Sequence, residues 1–149
     1  MEQPTQLKST VFIEGPIEPQ FIADSIAKHS RKKQIGGHNI FLGQVRNDVI
    51  EGKMVEAIEY TAYKEMADKE VLQIREDVFD QFDLTCLHIY HSLGRVKTGE
   101  ISFFVFVSST HREECYAASR YIVEEVKSRV PIFGKEILRD GTHKWKENT

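Results

Sequence analysis

Short apolar runs broken by polar turns alternate along this chain with stretches in which apolar residues recur every three or four positions. Val11, Phe12 and Ile13 make the first run, stopped by Gly15-Pro16, and predict a strand over residues 10–14. Pro19 suits a first helical turn, and Phe21, Ile22 and Ile26 supply a stripe that the basic run Arg31-Lys32-Lys33 closes, complementing the helix C-terminus. Residues 37–45, with Ile40, Phe41, Leu42 and Val45, read as a largely buried strand. Residues 46–53 read as a polar loop and 54–62 as the next strand. Ala67, Val71, Ile74, Val78 and Phe82 advance by three or four, which puts all five on one face of a helix over 64–82. Residues 84–91 are strand-like again, 94–99 form a turn-rich link, and 101–107 are apolar everywhere except Ser102, the pattern of a central strand. Thr110 followed by Glu113 has the form of a capping box. Cys115, Ala118, Ile122 and Val126 then trace the inward stripe of a helix that ends before Pro131. Finally, residues 135–139 and 142–146 flank Asp140-Gly141, a dipeptide suited to the tight turn of a hairpin.

Strands and three helices mixed without regular βα alternation predict an α+β fold built on a mixed or antiparallel sheet. At 149 residues and 40% hydrophobic, the chain has the material for one core. A single domain over residues 9–149 is expected, after a flexible N-terminus of residues 1–8. With 20 basic against 23 acidic residues and a net charge of −3, no overall basic field exists to gather nucleic acid or an anionic membrane. Neither a long apolar span nor a secretory layout opens the chain, so a cytoplasmic protein is expected. Cys86 and Cys115 lie far apart in apolar stretches and read as buried free thiols.

Charge at element edges supplies the candidate chemistry. Arg46 follows an apolar strand where a loop begins, a place from which a scaffold displays functional side chains, although a solvated loop arginine looks the same. His111 and Arg112 open a helix, whose free N–H groups and dipole favour an anion such as phosphate. Glu113 and Glu114 are close enough to compensate the pair instead. Lys127 lies in the last turn of the same helix, where complementing the dipole is its ordinary role. Apolar neighbours in KSRVPIFGKE, which begins at Lys127, can also lower a lysine pKa. His88 and His91 project to opposite faces of one strand and cannot jointly hold a metal, and no metal site is expected. There is no GxxxxGK loop, no CxxC pair and no placed Ser-His-Asp set.

FLGQVRN at Phe41 to Asn47, SSTHRE at Ser108 to Glu113 and EEVKSRVPIFGKE at Glu124 to Glu136 together resemble the large subunit of molybdopterin synthase, the MoaE family. EYTAYKEMA from Glu59 and the HSLG turn at His91 extend the likeness. The resemblance implies an α/β hammerhead-type fold and an enzyme that converts cyclic pyranopterin monophosphate to molybdopterin. It also implies that two sulfurs come from the thiocarboxylated C-terminus of a small ubiquitin-like subunit, within a heterotetramer built on a homodimer of this chain. No cofactor of its own is implied, since the partner supplies the sulfur. The implied substrate-binding residues are Phe41, Gln44, Val45, Arg46, His111, Arg112, Lys127, Gly134, Lys135 and Glu136. Lys127 matches the family's catalytic lysine. The family commonly carries a second active-site lysine where this chain has Gly134, so Lys135 replaces it only if the backbone bends there.

Roughly 16 helical residues separate His111 from Lys127, about 24 Å at 1.5 Å per residue, so one small pocket reaches both only if it is shared across a dimer. Two other readings compete. One is a non-catalytic dimeric module for a phosphorylated pterin or a ubiquitin-like tail. The other is an enzyme acting on a different phosphate ester without a protein partner.

Overall fold

The computed structural model describes residues 11–146; the expectation for the N-terminal segment 1–8 lies outside them. In chain order the elements are β1 (Phe12–Glu14), α1 (Pro19–His29), β2 (Gly37–Gln44), β3 (Val49–Ile50), β4 (Lys53–Ala62) and α2 (Lys64–Gln81). β5 (Cys86–Lys97), β6 (Ile101–Ser109), α3 (Arg112–Arg129), β7 (Ile132–Leu138) and β8 (His143–Trp145) follow. The sheet runs β2-β6-β5-β4-β7-β8, antiparallel throughout, with β1 added parallel to β5 and β3 antiparallel to β4. This is the mixed α+β arrangement that the patterning predicts.

β6 explains its own composition, because both of its faces are covered. Phe103, Val105 and Val107 face α2 and α3, in a cluster with Ala67, Val71, Ile74, Val78, Cys115 and Ile122. Phe104 and Phe106 face α1 with Ile17 and Ile22. Truncating a fully buried phenylalanine such as Phe104 removes about 3–5 kcal/mol. Both cysteines are free and buried.

Local rules and tertiary context part company at four places. Of the 94–99 link only 98–99 is turn, and 94–97 is strand: β5 pairs with β6 from Cys86 to His91, then passes to β4 from Gly94 to Lys97. Gly94 makes the change of partner possible by taking φ +84°, so the glycine reads as a breaker in sequence and acts as a kink within a strand. The 46–53 loop contains β3, which closes a hairpin on β4 through Glu51 and Gly52, both at positive φ. No capping box forms: α3 begins one residue late, with His111 as N-cap and no side-chain cap bond. α1 ends at His29, so Lys28 and His29 complement its C-terminus, whereas Arg31-Lys32-Lys33 lies beyond it. Among the described residues, no helix is long and apolar enough to cross a membrane.

Candidate active site

Where β5 changes partner, the two halves of the sheet open a recess of about 290 Å³. The end of β2 contributes Phe41, Gln44, Val45 and Arg46. β4 and β5 contribute Ile58, Tyr60 and His91, β6 adds Ser102 and Phe103, and Lys127 reaches in from the last turn of α3. A smaller hollow of about 50 Å³ continues from the same His91, Phe103 and Lys127 to Val126, Val130 and Ile132.

Three cations meet two carboxylates here. Lys127 is open to solvent along its side chain, yet its ammonium stands 5.8 Å from the centre of the Phe103 ring. Loss of hydration lowers its pKa, Lys146 and Arg46 lower it further, and Glu124 opposes the shift. A lysine so placed gives up its proton more readily than a fully solvated one. Arg46 donates through Nε and Nη2 to Asp48 at 3.2 and 3.1 Å, which fixes its guanidinium at the mouth. Glu136 is buried beneath. Tyr60 and Ser102 share a hydroxyl hydrogen bond of 3.1 Å, and burial raises the Tyr60 pKa, so it stays a neutral donor. His91 donates Nδ1–H to the Ser92 carbonyl at 2.8 Å. Burial foremost drops its pKa to about 4, which leaves a neutral ring with Nε2 free of its proton.

Of the residues expected from sequence, the fold gathers Phe41, Gln44, Val45, Arg46, Lys127 and Glu136 around this recess. His111 and Arg112 are exposed at the far end of α3, as the helix length requires. Lys135 is turned away. In register with Glu59, its ammonium lies 3.7 Å from that carboxylate and 5.9 Å from the centre of the Trp145 ring. Gly134 keeps ordinary strand dihedrals, so the bend that would swing Lys135 inward does not occur.

The lysine that enters is Lys146. Its backbone N–H donates to the Gly134 carbonyl at 2.8 Å, and its side chain lines the recess. A Cβ added at Gly134 would stand 3.6 Å from Lys146 Cδ and 3.0 Å from Ile58 Cγ2, so the bare glycine leaves room for the neighbouring chain's lysine. Sequence reasoning missed Lys146, Tyr60, His91, Ser102 and Asp48. No sequence signal placed Lys146 there: a two-residue turn at Asp140-Gly141 sets Lys135 opposite Lys146, whereas the observed register sets Lys135 opposite Trp145 and so brings Lys146 to Gly134.

The family model described as MoaE protein matches residues 15–129. A molybdopterin synthase catalytic subunit from Pyrococcus abyssi is 40% identical over 90% of this chain and 89% of its own length. The subunit of the same name from Rattus norvegicus is 37% identical over 76% of this chain, which spans 56% of that longer protein. The crystal structure of molybdopterin synthase from Staphylococcus aureus superposes with a TM-score of 0.81 at 30% identity, covering 95% of this chain and 99% of that one. A Helicobacter pylori complex of subunits 1 and 2 of molybdopterin-converting factor shares the fold at TM-score 0.78 and 18% identity.

Proposed function

The chain belongs to the MoaE protein family, and from that premise we propose that it is the catalytic subunit of molybdopterin synthase, with the recess beside Lys127 as its reaction site. The observation that carries the reading is the convergence of Lys127, Lys146 and Arg46 on one recess with a neutral His91 on its wall. Such a site suits an anionic pterin and the acyl end of a partner's tail.

The sulfur of the small subunit's thiocarboxylate forms a bond to a carbon of the pterin side chain as a carbon–oxygen bond at that carbon breaks, its oxygen leaving as water or staying on the phosphate. The acyl–sulfur bond then breaks as water takes the acyl carbon, leaving a carboxylate on the carrier and a thiol on the pterin. Two rounds give the dithiolene, and sulfur arrives and leaves at the same oxidation level. Lys127, with its lowered pKa, suits proton transfer and oxyanion stabilisation at the acyl carbon. Lys146 takes the part of the second lysine, and Gly134 makes space for it. His111 and Arg112 bind the substrate's phosphate from the partner protomer of a homodimer, within a heterotetramer that includes two small subunits.

The test is dithiolene formation from cyclic pyranopterin monophosphate with thiocarboxylated small subunit. Lys127→Ala is expected to lower turnover about 10²-fold or more and Lys146→Ala about tenfold, whereas Lys135→Ala stays within about twofold of wild type. Failure of the wild-type chain to form product while it binds the small subunit overturns the catalytic reading in favour of a binding module. Equal losses in Lys135→Ala and Lys146→Ala overturn the assignment of the second lysine.

A further inference from the structure

A second cluster of chemically capable side chains lies on the opposite face of β5 from the recess. The last residue of α1, His29, sits over Cys86 and His88, which share a face because they are two apart on β5. The imidazole nitrogens and thiol sulfur of this trio all lie within 4.8 Å of one another, the only such set of three among the described residues. His29 Nε2 and His88 Nε2 are 3.0 Å apart, slightly closer than the roughly 3.3 Å between two nitrogens that each bind zinc tetrahedrally at about 2.0–2.1 Å.

The surroundings favour ligation. His29 Nδ1 is 2.7 Å from the Ser25 carbonyl, so it carries the proton and presents the Nε2 lone pair inward, the outer-shell arrangement found behind metal-bound histidines. Lys32 Nζ donates to Cys86 Sγ at 2.9 Å, which holds the sulfur in place beside the two imidazoles. Phe106 packs against the His29 ring at 4.6 Å, and His29 and Cys86 are 8% and 6% exposed, which limits competition from water. His38 is close by, 6.3 Å from His29 between ring centres, and is engaged with the Ser108 hydroxyl at 2.7 Å.

We propose that His29, Cys86 and His88 form a zinc site with three protein ligands and a fourth position for water. One thiolate with two imidazoles selects zinc over magnesium, calcium and manganese, which prefer oxygen. In the metal-free chain the two Nε2 atoms are within hydrogen-bond distance of each other, a contact that zinc replaces. Lys28, Lys32 and Arg75 oppose a cation, so affinity falls below that of a site with four cysteines.

The full chain, tag-free, is titrated with cobalt(II) as a spectroscopic probe and then with zinc. One equivalent of cobalt should produce a thiolate-to-cobalt charge-transfer band and the intense visible bands of four-coordinate geometry, and zinc should bleach both. Cys86→Ser should abolish the charge-transfer band and His88→Gln weaken binding at least about tenfold, while Cys115→Ser leaves both unchanged. In the unmodified chain, zinc should protect Cys86 from alkylation, read by mass spectrometry, so the test survives if a variant misfolds. No charge-transfer band in wild type, its persistence in Cys86→Ser, or alkylation of Cys86 at an unchanged rate under saturating zinc overturns the site.

Discussion

His88 and His91 stand on opposite faces of β5, and each has its pKa pulled down to about 4, with burial as the first cause. Unfolding returns both to about 6.5. Between those values the unfolded chain binds more protons than the folded one, so stability is complete above about pH 6.5 and is lost as pH falls toward 4. The slope approaches about 1.4 kcal/mol per pH unit for each histidine. Urea denaturation between pH 7 and 4.5 should therefore show a falling midpoint. His91→Gln should flatten that fall, and a wild-type and variant pair with parallel profiles would remove His91 from the account. The opposed faces were legible, because strand side chains alternate with a period of two. Nothing in the spacing indicated that α1 would end with His29 above His88, nor that Tyr60 would reach Ser102, since these contacts depend on tertiary packing.

Among the elements, helices and the β6 core were readable from the apolar period, because their burial is one-sided in α2 and α3 and two-sided in β6. β5 was not, because Gly94 is a breaker by local rules and a hinge between strand partners in the fold. Its φ of +84° makes Gly94→Ala a strained substitution, whereas Glu14 Oε2, 2.5 Å from a built Cβ, is the free end of a side chain that can swing aside. The substitution is expected to cost about 1–3 kcal/mol, read as a lower denaturation midpoint with little change in slope. Arg129 couples α3 to α2 through Glu70 and Asp77, both at 3.2 Å, and pairs with Glu125 of its own helix at 3.0 Å, a role beyond complementing a helix end. All four groups are part-exposed, so Arg129→Ala should lower the melting temperature by only a few degrees, and by less in high salt. A salt-independent loss would assign the effect to packing of the arginine stem instead.

At the scale of the whole molecule, the length of α3 decides how the site must be assembled. His111 is the N-cap and Lys127 lies in the last turn, about 24 Å away along the axis, while the recess gathers only the Lys127 end. If His111 and Arg112 serve the same substrate, a two-fold partner must bring them. A dimer of Arg112→Ala with Lys127→Ala then holds one intact site and one doubly defective site. Mixing the two inactive chains one to one with subunit exchange makes half the dimers mixed, and should restore about a quarter of wild-type turnover. Were each site built from one protomer, every site in the mixture would carry a defect and activity would stay at the level of the parents. Dithiolene formation before and after exchange separates these outcomes. Exchange itself is checked by native mass spectrometry of an isotope-labelled partner, so a silent mixture counts against sharing only when mixed dimers are present.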